Sequence, residues 1–332
     1  MSQTTHGSPV VRAPVQSAVS SPSFHWPSTV AFDRFVTPRG TVAPSVVFLT
    51  HAHTDHMVGL QKPRRKYSWT VVCSRTTQKL ARVRYPHLRH VRFSVPASCR
   101  RWSPLPHHQD WFYCLLDSYH CLGATMVGLW EKRTGQTLLY TGDVGNTRLP
   151  WRDHALWWQR TGAPWPLSLY YDDTYESVVS DTLPTLEETR QRVEQVLQLF
   201  PPLLLHWSQL GLEQVWPLGI DRPFEWSPDA FPEWQRKLAR AGLAPAGIRL
   251  VRLHTLEAPP RGQRQWVLIL TGHTTACPST SVEKRPPPLR TGLIRVPFCL
   301  HPDRTTLSAL FDAFHPVDAA PLGFAVDPNT CK

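Results

Sequence analysis

Val46-Val47-Phe48-Leu49-Thr50-His51-Ala52-His53-Thr54-Asp55-His56 decides how the chain is read. Its first half is apolar and β-branched and predicts a short buried strand. Its second half sets three imidazoles and a carboxylate within six residues, directly after that strand. A loop at a strand end leaves such side chains free to turn toward one point. The His-x-His spacing places two ring nitrogens on one ion, while Asp55 and His56 face a neighbouring position. Donors of this kind suit zinc. A polar turn that happens to be rich in histidine is the bland alternative, and it gives no reason for the spacing.

Two later residues extend the pattern. His120 lies in Asp117-Ser-Tyr-His120-Cys-Leu-Gly123, after an apolar strand candidate at residues 111–116. Asp143 lies in Tyr140-Thr-Gly-Asp143, again just past a strand candidate, at residues 137–140. Upstream, Thr29-Val-Ala-Phe-Asp33 reads as a strand ending in an acid. Further strands are expected at 124–130, 167–171, 203–205, 267–271 and 293–298. Helices are expected at 76–83, 186–200, 233–241 and 305–314. The helix at 186–200 has the clearest signals: a capping box of Thr185 and Glu188, with Pro184 before it and Pro201 after it. Strands dominate early and then alternate with helices, which predicts a mixed α/β architecture.

Charge gives the next constraint. The 332 residues carry a formal net charge of +11, from 36 Lys/Arg and 25 Asp/Glu. From Met57 to Gln109 there is no acid, and twelve of the bases fall there, Arg64, Arg65, Lys66, Arg82 and Arg84 among them. The window begins one residue after His56 and ends shortly before His120. A basic stretch tethered at both ends to candidate metal ligands can deliver a phosphodiester to them, so nucleic acid is the expected partner. Tyr67, Trp69, Tyr85 and Trp102 interleave with the bases and could stack on nucleobases, or simply pack. Hydrophobic residues make up 41% of the chain, enough for a core. No apolar run approaches a membrane span. Seven cysteines without CxxC spacing argue against a disulfide scaffold and for a reducing compartment.

The ordered set of Asp33, His51-x-His53-x-Asp55-His56, His120 and Asp143 resembles the metallo-β-lactamase pattern. Later segments resemble the β-CASP nucleases of the Artemis/Apollo DNA cross-link-repair group. Leu169-Tyr-Tyr-Asp172-Asp-Thr174 is similar to that group's LYLDNT segment, and Leu210-Gly-Leu-Glu213 to part of SLGKE. Val251-Arg-Leu-His254 is similar to RIHA, and Val296-Pro-Phe-Cys-Leu-His301 to VPYSDHSS. The matches run from about residue 30 to residue 314.

The resemblance implies a metallo-β-lactamase αββα sandwich with an inserted α/β β-CASP domain. Residues 1–27, rich in Ser, Pro, Thr and Gln without a period, are expected to be a disordered tail, and on the resemblance 28–175 are the first part of the metallo-β-lactamase domain. Residues 176–275 are the β-CASP domain, 276–290 a Pro-rich loop, and 291–332 a return segment completing the first domain. It implies one tightly bound zinc on His51, His53, His120 and Asp143. A second, weaker zinc falls to Asp55, His56 and His301, with Asp143 bridging. Asp33 supports the His loop, Asp172 sits at the cleft mouth, and His254 belongs to the active site or to the core at a strand end. The activity implied is hydrolysis of DNA phosphodiesters, as a 5′-exonuclease or a structure-selective endonuclease in repair or end processing, in the nucleus. The catalytic roles fall to Asp55, Asp143, Asp172 and His254.

The chain departs from the pattern at three places. Leu212 stands where a Lys is expected, Cys299 where a Ser is, and Pro302-Asp303 where two Ser are. Those family residues help to bind a 5′-phosphate, so a strict requirement for one is not implied here. Three alternatives stay open: an RNA-processing nuclease, a small-molecule hydrolase, and a non-catalytic nucleic-acid-binding scaffold.

Overall fold

A computed structural model describes residues 26–36, 42–60, 69–147, 151–165, 167–176, 183–199, 203–206, 265–272 and 291–322. The expected tail up to residue 25, the helix at 233–241 and the Pro-rich loop lie outside them, while Trp26, at the end of the expected tail, packs against Phe32 and Tyr170.

Strand β1 (Val30–Phe32) pairs in parallel with β2 (Val46–Phe48), β2 with β3 (Thr70–Val72), and β3 with β4 (Phe93–Ser94). β2 is central, and Val46, Val47 and Phe48 are all fully buried. A parallel strand covered on both faces needs a continuous apolar run, and this one has it. Helix α1 (Arg75–Arg84) makes the crossover from β3 to β4. Ser74 caps it by accepting from the Thr77 N–H (3.0 Å).

The second sheet has six strands in the order β13-β9-β8-β7-β6-β5. These are β5 (Ser103–Pro104), β6 (Trp111–Asp117), β7 (Thr125–Glu131), β8 (Thr137–Tyr140), β9 (Ser168–Tyr171) and β13 (Asp318–Pro321). Neighbours from β5 to β8 are antiparallel, while β8, β9 and β13 run parallel. It follows that β6, β8 and β9 point the same way, so the loops leaving them emerge at one edge. Those loops carry His120, Asp143 and Asp172.

One apolar core joins the two sheets, with Val46, Phe48 and Val72 meeting Tyr113, Leu115, Val127 and Leu138. A second core lies on the other face of the six-stranded sheet. There α2 (Trp151–Arg160) and α4 (Arg304–Phe314) bury Trp151, Trp158, Leu310 and Phe314. Gly128, in β7, makes room for Trp158: a Cβ there would lie 2.8 Å from the indole ring and 2.6 Å from the Cys114 sulfur. Helix α2 is absent from the sequence expectations, although Trp151, His154, Ala155 and Trp158 do recur at helical spacing on its buried side.

Helix α3 (Leu186–Leu199) begins with the expected capping box. Thr185 Oγ1 accepts from the Glu188 N–H, and the Glu188 carboxylate accepts from the Thr185 N–H. A third sheet is parallel throughout, in the order β10 (Leu203–His206), β11 (Gln265–Gly272) and β12 (Thr291–Phe298). β12 pairs with β11 and not with the larger sheets. No helix among the described residues is long and apolar enough to cross a membrane.

Candidate metal centre

Phe48 ends β2, and the next three residues turn toward the interior. Asp33, at φ 50°, closes β1 and holds that turn. Its Oδ1 accepts from the Thr50 N–H (2.8 Å) and its Oδ2 from the Thr50 hydroxyl (2.7 Å). Because the Thr50 hydroxyl proton goes to Asp33, its oxygen is left to accept from His51 Nδ1–H, 3.0 Å away. His51 Nε2 then carries the lone pair. His120 is fixed in the same sense: its Nδ1–H donates to the Leu300 carbonyl (3.0 Å), which leaves Nε2 as a lone pair. Outer hydrogen bonds of this kind set the tautomer of a metal-binding histidine.

These two nitrogens converge on a third. His53 Nδ1 lies 2.9 Å from His51 Nε2 and 3.0 Å from His120 Nε2. Asp143 Oδ2 completes the set, 3.6 Å from His51 and 3.4 Å from His120. One ligand atom from each of the four residues lies within 4.8 Å of the others. Burial holds His51 and His120 well below the usual imidazole range, so both rings are neutral. Burial opposes ionisation of Asp143, yet His120, His56 and His51 keep its carboxyl well below the usual range. Three ring nitrogens share at most one proton among them beside a carboxylate, and that donor set fits a metal cation.

A second group shares Asp143 with the first and adds Asp172 and His301. His301 Nδ1–H donates to Asp172 Oδ2 (2.9 Å), and Asp143 Oδ2 lies 4.0 Å from the same nitrogen. Burial disfavours charge on His301, but Asp172 and Asp143 raise its pKa. His56 bridges the two acids, with Nδ1 3.0 Å from Asp33 and Nε2 3.2 Å from Asp143. Burial again opposes charge, and Asp33 and Asp143 push His56 up to about 11.

The structure corrects several expectations. Asp172 is not at the cleft mouth but fully buried. The turn after β9 folds back over it, so that Thr174 donates to Oδ1 through both N–H and hydroxyl, and Val144 N–H donates to Oδ2. Asp55 is not drawn into the second group. Its side chain is 78% exposed, with His56 Nε2 3.7 Å away, because the turn that follows His53 carries it outward. Arg82 lies over the Phe93 ring at 5.0 Å, while Arg84 reaches back to donate to the Thr54 hydroxyl in the His loop (2.7 Å). Trp69 packs against Phe35, and Trp102 packs among Trp130 and Trp158 and donates to Thr161, so neither is an open platform for a base. Arg64, Arg65, Lys66, Tyr67, Leu212 and His254 lie outside the described residues.

The departing residues are occupied with shaping the His301 loop. The Cys299 thiol donates to the His301 carbonyl (3.0 Å), and Asp303 caps α4 by accepting from the Thr306 N–H (2.7 Å). One structural residue escaped sequence reasoning. Gly145 approaches the Tyr119 carbonyl so closely that any Cβ would collide with it, and its N–H donates to the Ser118 carbonyl (2.8 Å). That contact joins the Asp143 loop to the His120 loop.

The chain matches no family model. It is 28% identical to the 5′ exonuclease Apollo of Mus musculus over 68% of this chain and 38% of that protein. To the 5′ exonuclease Apollo of Gallus gallus it is 33% identical, over 45% of this chain and 29% of that protein. The chain thus spans less than two fifths of the length of the curated relatives it matches. A crystal structure of a protein of unknown function from Enterococcus faecalis V583 superposes with a TM-score of 0.55 at 11% identity, covering 88% of this chain and 79% of that one, and so shares the fold. The order of candidate ligands along the sequence and these relatives agree: the chain resembles the metallo-β-lactamase/β-CASP nucleases of the Artemis/Apollo group.

Proposed function

We propose that the protein is a zinc-dependent nuclease that hydrolyses DNA phosphodiesters, as a 5′-exonuclease or a structure-selective endonuclease in repair or end processing in the nucleus. The observation that carries this reading is the convergence of His51, His53, His120 and Asp143, with ring protons turned outward, beside a second group sharing Asp143. The first three would hold a zinc with Asp143, and Asp172 and His301 would help to hold a second. A bound zinc supplies a Lewis acid and lowers the pKa of its water to about 7. The second position is the weaker, because His301 Nδ1–H is already engaged by Asp172 and must give up its proton before that nitrogen can become a ligand.

The protein's own groups do the rest. Asp143 touches both groups and fixes their relation. Asp55, open to solvent at the rim, takes up the proton released in the reaction. Arg84, held at the His loop through Thr54, meets a phosphate of the approaching strand, and the basic residues beyond it follow the backbone. The body formed by the two larger sheets and helices α1, α2 and α4 is the metallo-β-lactamase sandwich. The segment bearing α3 and the third sheet is the β-CASP insertion.

The test is a time course on 5′-phosphate, 5′-hydroxyl and hairpin DNA, with matched RNA, in zinc and in EDTA. Cleavage of DNA that stops in EDTA and in Asp143→Asn is expected. Preference for RNA would move the protein to the RNA-processing branch. Cleavage indifferent to EDTA would refute the metal chemistry. Absence of both zinc and cleavage would leave a scaffold.

A further inference from the structure

We propose that Asn146 is a positioning residue that holds His301 in register with Asp143 and Asp172, so that the second ligand group forms. The inference rests on the metal reading above and concerns a residue that touches neither group. Asn146 lies three residues beyond Asp143 and is fully buried. A side-chain amide has two N–H donors and an oxygen with two lone pairs, and here all four are used. Nδ2 donates to the carbonyls of Leu183 (3.2 Å) and Pro184 (3.0 Å). Oδ1 accepts from the Asp303 N–H (3.1 Å) and the Thr306 hydroxyl (2.7 Å).

The partners come from two distant parts of the chain. Leu183 and Pro184 lead into α3, where the chain leaves the larger body, and Asp303 and Thr306 open α4, after it has returned. His301 lies between two tethers on this returning segment. On one side the Leu300 carbonyl is held by His120. On the other, Asp303 is held by Asn146. The first tether belongs to the first ligand group, and the second comes from the Asp143 loop itself. Asn146 therefore carries the geometry of Asp143 to His301. The demand for two donors and two acceptors at one buried point is met by an amide. An aspartate would face the Leu183 and Pro184 carbonyls with an oxygen and no proton.

The probe is zinc alone, titrated into the full chain against a chelator of known affinity, with thermal melting in EDTA as a fold control. The wild type is expected to take up two zincs. Asn146→Ala keeps the first and weakens the second about 10- to 100-fold, the usual reach of an outer hydrogen-bonding partner. Thr306→Val, which removes one bond to Oδ1, weakens the second zinc less, and Thr306→Ser restores it. His301→Ala combined with Asn146→Ala loses no more than His301→Ala alone, because Asn146 acts through His301. Unchanged affinities in Asn146→Ala, equal weakening of both zincs, or full additivity with His301→Ala would overturn the proposal. If Asn146→Ala does not fold, equal second-zinc affinity in Thr306→Val and Thr306→Ser overturns it. A wild type with one zinc removes the second position and this role with it, while a wild type with none refutes the metal reading beneath both.

Discussion

Replacing Thr50 by valine keeps shape and volume and removes one hydroxyl, which makes it a sharp probe of how His51 is held. Two hydrogen bonds meet at that oxygen, one donated to the Asp33 carboxylate at 2.7 Å and one accepted from His51 Nδ1–H at 3.0 Å. Thr50 is 1% exposed and His51 fully buried, so water does not replace what is lost. A bond to a charged acceptor contributes about 1.5–3 kcal/mol, and a buried N–H left without a partner costs about 1–3 kcal/mol. Both losses come from one hydroxyl and are not additive, and the new methyl offsets part of them. The expected net destabilisation is about 2–4 kcal/mol. Release of Nδ1–H also frees the ring to place its proton on Nε2, the atom facing His53. Zinc affinity at the first position should therefore fall about 10- to 100-fold. Urea unfolding with and without EDTA measures the first effect, and chelator competition the second. Thr50→Ser, which keeps the hydroxyl, should recover most of both. If Thr50→Val stayed within about 0.5 kcal/mol of wild type and bound zinc as tightly, the hydroxyl relay from Asp33 to His51 would have no role.

Two further outcomes test other parts of the molecule. Arg84→Glu should weaken binding of single-stranded DNA and lower the salt slope by about one phosphate contact, with zinc content unchanged; an unaltered salt slope in fluorescence anisotropy would remove Arg84 from the interface. His154, in α2, is pushed down to about 4 by burial and by Arg100, whose guanidinium donates to its Nδ1, against the opposing bond from its Nε2–H to the Asp117 carbonyl. Its folded value lies below the unfolded one, so its contribution is complete above the unfolded pKa of about 6.5 and is lost as pH falls toward about 4. Between pH of about 7.5 and about 5 the loss is on the order of 2 kcal/mol. His154→Gln should lack it, so the urea midpoints of the two proteins should converge in acid; parallel pH profiles would count against the buried neutral ring.

How far the site could be read in advance depended on the residue. His51, His53, His120 and Asp143 were legible because each lies within a few residues of the end of an apolar strand run, and a strand end in a sheet of this kind points its loop to one edge. The strands carrying them were legible for the same reason: a continuous apolar run such as Val46 to Leu49 has one stable place, between two covered faces. Asp172 and Asp55 were not. Both are acids in loops, with nothing in their neighbours to say which is buried. Thr174, Val144 and His301 decide that for Asp172, and the last of these is 129 positions away in sequence.

The linear pattern was thus enough for an α/β fold with a histidine-rich edge, because period and composition are local properties. Contacts between distant segments decided the rest. Arg84 turned out to serve the His loop and Arg82 to lie on Phe93, although both come from one basic helix two residues apart. Gly145 and Asn146 carry no motif, since their importance lies in what approaches them: a carbonyl too close for any Cβ, and two chain segments that lie far apart in the sequence. Hydrogen-bond donors and acceptors in a buried site must be matched one by one. That matching is made across space, and only the folded chain brings the partners within reach.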